Sequence, residues 1–218
     1  MKNKLWSAVI IAFVALLWSA CDTEEIKECS DSYTDERDGR VYCITTIGTQ
    51  TWMAENLSFI TDSSVLNPSN PSSVNAEYGR LYNFSEANSV CPTGWHLPTD
   101  DEWKTLEQFL GMNSGAVNAT NLRGSTEGLS LKSVDGWDVS TDSTKGNNNT
   151  GFNALPAGEW NPSYGPYFNL GENATFWTST VYDTTGGAWI RDLSFENGGI
   201  TRSYFSQSMA FSCRCLKD

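Results

Sequence analysis

β-branched and aromatic residues crowd two runs, residues 41–47 and 50–53, which Gly48 separates, and this pattern predicts two short strands joined by a turn. Residues 80–82 follow Gly79 as a further strand, and residues 84–88 suit a short helix, while residues 58–76 read as loop. The clearest periodicity comes next. Trp103, Leu106 and Leu110 recur at helical spacing, with Lys104, Glu107 and Gln108 expected on the opposite, solvated side. Thr99 and Glu102 have the spacing of a capping box, in which each side chain takes the other's backbone N–H, so the helix should begin at Asp100. Gly111 suits a left-handed residue just past its end. Pro98 disfavours a helical residue before it, which makes residues 94–97 an extended lead-in carrying Trp95. Residues 133–151 are a long polar stretch. Residues 176–180, 188–193, 199–204 and 210–216 then predict a closing meander of strands with Gly-rich turns. No internal repeat, heptad or basic amphipathic helix interrupts this pattern.

The first residues stand apart. Lys2 and Lys4 precede an apolar run over residues 5–18, short for a membrane span and suited to the core of a signal peptide. Ser19-Ala20-Cys21 resembles a bacterial lipobox, so residues 1–20 are expected to be removed and Cys21 acylated, with residues 21–28 as an acidic tether. Residues 29–218 then form one domain, since no Pro-rich or charged linker divides them. The formal charge is −12, and residues 1–20 carry two lysines and no acid, so the processed chain stands at −14. That balance disfavours nucleic acid as a partner.

Of six cysteines, five remain after Cys21, an odd number in a compartment that permits disulfides. Cys29 and Cys43 flank a polar stretch whose Asp38-Gly39 signals a turn, which predicts a local bridge across a hairpin. Cys91 should meet Cys213 or Cys215, which share strand parity with Arg214 pointing to the other face. A zinc site lacks a second Cys-x₂-Cys pair and histidines.

Six blocks resemble, in order, the major paralogous domain of Fibrobacter succinogenes, or FISUMP. They are Ile47-Gly-Thr-Gln-Thr-Trp-Met-Ala-Glu-Asn-Leu57, Tyr78-Gly-Arg-Leu-Tyr-Asn83, Cys91-Pro-Thr-Gly-Trp-His-Leu-Pro-Thr-Asp-Asp-Glu-Trp103, Gly151-Phe-Asn-Ala-Leu-Pro-Ala-Gly158, Phe176-Trp-Thr-Ser-Thr180 and Phe211-Ser-Cys-Arg-Cys-Leu-Lys-Asp218. The resemblance places the family's single late cysteine at Cys215, which implies a Cys91–Cys215 bridge and leaves Cys213 as the odd thiol. More distantly, Leu97-Pro98-Thr99 with Glu102-Trp103 is similar to a segment of formylglycine-generating enzymes and their sulfatase-modifying-factor relatives. That likeness implies an α+β, C-type-lectin-like domain: one or two short helices on small twisted antiparallel sheets, with long irregular loops and disulfide staples.

Enzyme chemistry is not expected. The oxidase members of that superfamily hold copper with two late cysteines five positions apart, whereas five before Cys215 stands Ala210. The iron-dependent members need several histidines, and His96 is the single one, expected to pack or hydrogen-bond. Ser179 and Ser203 lack a nucleophile elbow. Binding is better supported: nine Trp and eight Tyr offer aromatic faces beside polar edges, which suit sugar rings as well as cores. Trp52, Trp95, Trp103, Trp177 and Trp189 are expected mostly in the core. Trp137, Glu159, Trp160, Asn161, Tyr164 and Tyr167, in Gly-, Pro- and Asn-rich loops, are the candidate ligand contacts. Asp135, Asp138, Asp142, Asn147 and Asn149 are oxygen donors that would suit Ca²⁺, the one cofactor considered. These features predict an exported, membrane-anchored lipoprotein at the outer membrane or cell surface. Its expected role is a binding or adhesion module with a polysaccharide or cell-surface partner, ahead of a display scaffold or an enzyme of the formylglycine-generating fold.

Overall fold

The computed structural model describes residues 29–66, 77–138, 144–183 and 186–218. The expected signal peptide, Cys21, the tether and Asp142 lie outside these residues. In chain order the strands are β1 (Ser32–Thr34), β2 (Val41–Ile47), β3 (Gln50–Met53), β4 (Leu81–Asn83), β5 (Trp95–His96), β6 (Asn121–Arg123), β7 (Glu159–Asn161), β8 (Gly165–Phe168), β9 (Asn173–Val181), β10 (Gly187–Ser194), β11 (Ile200–Ser206), β12 (Ala210–Ser212) and β13 (Leu216–Lys217). The α-helices are α1 (Phe84–Val90), α2 (Asp100–Phe109) and α3 (Glu127–Leu131). The class is α+β. The third helix goes beyond the one or two expected: α3 is a single turn or so, too short for apolar periodicity to reveal.

One sheet runs β1-β2-β3-β13-β5, and the other runs β6-β11-β10-β9-β12-β7-β8, with β4 also paired to β12. Strands β2 and β3 meet with Ile47 opposite Gln50, leaving Gly48-Thr49 as a two-residue turn. Gly48 has φ +62°, and a Cβ there would lie 2.8 Å from the Phe109 ring, so both conformation and space require glycine. The helix α2 starts at the predicted capping box: Thr99 Oγ1 accepts from Glu102 N at 3.2 Å, and Glu102 Oε2 accepts from Thr99 N at 2.7 Å.

Residues 210–216 do not form one strand of the meander. The chain leaves β12 after Ser212 and enters the other sheet as β13. Between them it runs beside residues 53–57, Leu57 N donating to Cys213 O at 2.9 Å and Met53 N to Cys215 O at 3.0 Å. The fully buried Arg214 side chain braces this crossing, Nη1 donating to Met53 O at 3.1 Å and to Phe152 O, and Nη2 to Asn56 Oδ1 at 2.6 Å. Disulfides join Cys29 to Cys43 and Cys91 to Cys215, and Cys213 is a buried free thiol.

Two large apolar clusters flank the sheets. Tyr42, Met53, Tyr82, Trp177 and Phe211 anchor the first, and Trp52, Trp103, Phe152 and Phe176 the second. Trp103 touches Trp52 at 5.1 Å, Phe152 at 5.7 Å and Phe176 at 5.8 Å between ring centroids, so the helix is locked to both sheets through one indole. Glu107, expected on the solvated side, is instead fully buried. It faces two arginines from the sheet, a long-range pairing that helical periodicity does not register.

Candidate ligand-binding site

The site grows from one face of the β9-β10-β11 meander. In β10, Trp189, Arg191 and Leu193 share a face by strand alternation, and the register sets Trp189 opposite Tyr204 and Arg191 opposite Arg202 in β11. Helix α2 covers the part of this face nearest the core and ends, at its N-terminus, over the two arginines. Beyond Asp100 the face is open.

A buried ionic cluster marks the boundary. Arg202 binds both oxygens of Asp100, Nε to Oδ1 and Nη2 to Oδ2, each at 2.8 Å, and Arg191 Nη1 reaches Oδ1 at 2.9 Å. Lys104 Nζ lies 2.9 Å from Oδ2. Burial alone would raise the Asp100 carboxyl, but the hydrogen bonds and charges of Arg202, Arg191 and Lys104 hold it well below the usual carboxylate range. Two helical turns on, Glu107 takes Arg123 Nη1 at 2.7 Å, Nη2 at 2.8 Å, and Arg191 Nε. The register of β10 against β9 shifts between Ala188 and Ile190, a bulge opposite residues 178–180. The bulged residues seat the helix start: Asp100 N donates to Thr180 Oγ1 at 3.0 Å, and Ser179 N to Pro98 O at 2.9 Å.

On the open face three aromatic rings meet. Tyr182 and Tyr204 stack with centroids 3.6 Å apart and planes 4° from parallel. Trp189 stands across them, 88° to Tyr182 at 4.9 Å and 84° to Tyr204 at 6.0 Å. The Arg202 guanidinium covers Trp189 at 3.5 Å from its centroid. Tyr182 and Tyr204 are 39% and 47% exposed, and Trp189 is half-buried. The neighbouring Tyr204 hydroxyl raises the Tyr182 phenol above its ordinary value. Gly187 leaves room beneath the pair: a Cβ there would lie 3.4 Å from the Tyr204 ring and 3.5 Å from that of Tyr182.

The expected contact residues lie elsewhere. Trp137 is buried, not exposed in a loop; its indole N–H donates to Ser133 Oγ at 2.9 Å, and Lys132 Nζ sits 4.9 Å from its ring centroid. Residues 159–167 belong largely to the β7–β8 hairpin. There Trp160 and Tyr167 are half-buried against Tyr78, Leu81, Ala157 and Ala210, and Glu159 is half-buried, with burial raising its carboxyl. Asn161 Oδ1 is occupied by Ser163 N at 2.9 Å, which leaves Tyr164, 81% exposed at the tip, as the presented ring. Trp52, Trp95, Trp103 and Trp177 are buried as expected, whereas Trp189 is the one that reaches the surface.

Asp135, Asp138, Asn147 and Asn149 are exposed. Among the described residues no group of three or more His, Cys, Asp or Glu is placed to hold a metal ion. His96 bridges two carboxylates, Nδ1 lying 2.6 Å from Asp218 Oδ1 and Nε2 3.0 Å from Glu102 Oε1. Cys213 is sealed in the core, and burial pushes its thiol well up.

Sequence reasoning missed Tyr182 and Tyr204. Each follows or ends a predicted strand, and only the β10–β11 register and the bond from Tyr182 N to Gly187 O at 2.9 Å bring them together.

Comparison of the sequence with known families finds a match to the Fibrobacter succinogenes major domain over residues 45–217. No curated protein and no solved structure matches. The matched segment includes α2, its ionic cluster and all three site aromatics, and the chain belongs to the Fibrobacter succinogenes major domain family.

Proposed function

We propose that this protein is an exported, lipid-anchored binding or adhesion module whose ligand is polysaccharide at the cell surface. The observation that carries the reading is the Tyr182–Tyr204 pair, held open to solvent beside Trp189 at the end of a rigid sheet. A sugar ring presents an apolar C–H face and a polar rim. Exposed aromatic rings seated on fixed strands bury that face with little loss of side-chain entropy. The tyrosine hydroxyls supply polar edges at the same place. The signal-like leader, the lipobox-like Ser19-Ala20-Cys21 and the disulfides support export and anchoring. The lectin-like fold implied by the Leu97–Trp103 segment supports the same reading by analogy alone.

A polysaccharide-binding screen with the exported protein tests it, run with calcium and with chelator because Asp135, Asp138, Asn147 and Asn149 are exposed oxygen donors. Binding lost in Tyr204→Ala and kept in Tyr164→Ala is the expected result. Binding lost only in Tyr164→Ala would move the contact to the β7–β8 hairpin. No binding by the folded protein would leave a display scaffold, the reading that the burial of Trp137 and half-burial of Trp160 favour.

A further inference from the structure

Resting on the polysaccharide reading, we propose that the tyrosine pair grips one sugar ring of a soluble or amorphous glycan chain and cannot lie on the flat face of a crystalline polymer. The ring geometry decides this. A crystalline face is planar over many sugars, and it is matched by two or more aromatic rings lying in one plane with their faces turned outward. Here no two rings share a plane. The tyrosines are parallel within 4° but displaced 3.6 Å, with their inner faces against each other. Their outer faces therefore point in opposite directions, and one flat surface cannot touch both.

Trp189 does not supply a second coplanar ring. It is inclined 88° and 84° to the tyrosines. The separations of 3.6, 4.9 and 6.0 Å place it beside the edge of Tyr182 and not beyond its face, so it leaves the stacking faces clear. One face of the indole is occupied by Arg202 at 3.5 Å. Arg202 is itself held by both oxygens of Asp100 and by Asn118 O at 3.2 Å, so it does not swing aside to free that face. What remains are the two outer tyrosine faces, turned opposite ways beside an indole that stands perpendicular to them, and a chain passing or ending there covers either face with one ring.

Adsorption of the exported protein to microcrystalline cellulose, amorphous swollen cellulose, and insoluble xylan and mannan tests this, with soluble oligosaccharides of each polymer as competitors. Amorphous or soluble forms should bind at least about tenfold more tightly per accessible sugar than crystalline cellulose, and oligosaccharides should compete. Tyr204→Ala should weaken binding about tenfold, a loss of 1.4 kcal/mol. Tyr182→Leu, which keeps an apolar side chain but no ring, should do the same and guards against a folding defect in the first variant. Crystalline cellulose bound as tightly as the amorphous form, without competition by oligosaccharides, would overturn the inference while leaving the polysaccharide reading intact. No binding to any polymer by the folded protein would overturn both.

Discussion

Arg202 binds both oxygens of Asp100 at 2.8 Å while its guanidinium lies 3.5 Å from the Trp189 ring centroid. The same side chain thus ties the first residue of α2 to the aromatic face of the sheet. Asp100 is also bonded to Arg191 and Lys104, so its removal leaves buried cations without their shared anion. Asp100→Ala should destabilise the protein by about 3–5 kcal/mol. Asp101→Ala, one residue along and 89% exposed at its side chain, should change stability by less than about 0.5 kcal/mol. Urea denaturation of the two variants makes the comparison, and equal losses would show that the cluster contributes nothing specific.

This cluster also shows where the sequence is legible and where it is not. The start of α2, the β2–β3 turn and the strands of the meander rest on local signals: a capping box, a glycine, β-rich runs. Those signals lie within a few residues of what they specify. Glu107 reads as a solvated position because helical periodicity reports only which residues are apolar. Its partners, Arg123 and Arg191, lie 16 and 84 residues away. Residues 210–216 read as one strand because the change of sheet after Ser212 depends on hydrogen bonds to Met53 and Leu57. The aromatic face of the meander is hidden from the sequence for the same reason. Trp160 and Tyr164 share a Gly- and Pro-rich context that marks turns, whereas Trp189 and Tyr204 meet through strand register and Tyr182 joins them through its bond to Gly187 O.

Glu107 gives a second stability test. It accepts three hydrogen bonds from Arg123 and Arg191 with no water-exposed surface. Glu107→Gln preserves shape but removes the charge that two buried guanidiniums share, and should cost about 3 kcal/mol or more. Lys104→Gln, at the partly exposed edge of the cluster, should cost under about 1 kcal/mol. Thermal unfolding ranks the pair, and a neutral Glu107→Gln would mean the arginines are hydrated in solution.

His96 sets a pH dependence. Burial by itself would lower its pKa, but the hydrogen bonds it donates to Asp218 and Glu102 outweigh that and raise it above the ordinary value of 6.5. A neutral imidazole has one N–H and cannot satisfy both carboxylates, so the bridge needs the cation. The folded-state pKa is the higher one. The contribution is therefore complete below about 6.5, the unfolded value, and is lost as pH rises through the folded pKa. Stability measured across that window should fall with rising pH in the parent and lose this step in His96→Gln. Because the imidazole is about one-third exposed, the step should stay under about 1 kcal/mol. An identical profile in both proteins would remove His96 from the account.

The cysteines separate by reactivity. Cys91–Cys215 spans a sequence separation of 124, so its loss should cost about 2–5 kcal/mol. Cys213 is fully buried, with its thiol pushed up by desolvation, and both effects suppress attack on alkylating reagents. Peptide mapping after alkylation should find Cys213 unlabelled in the native protein and labelled in denaturant without reductant. Labelling of Cys91 or Cys215 under the same denaturing conditions would reveal exchange among the three sulfurs.

Charge predicts which glycans the aromatic corner rejects. The chain carries a formal charge of −12, and the cations nearest the corner are already paired: Arg202 with Asp100, Arg191 with Asp100 and Glu107, Lys104 with Asp100 and Asp101. A uronate arriving there would meet no unpaired arginine and would feel the negative field of the whole protein, screened over about 8 Å at physiological salt. Neutral polymers should therefore bind in preference to their carboxylated counterparts. Amorphous cellulose and the same polymer oxidised at C6 make the cleanest comparison, since the backbone and the C–H face are unchanged. Binding to the oxidised form should be weaker at low salt and should recover towards the neutral value as salt is raised, while binding to the neutral form stays flat. Stronger binding to the oxidised polymer, lost at high salt, would mean that a cation of the cluster opens to the ligand, and the pairing of Arg202 with Asp100 would then have to be broken in the complex.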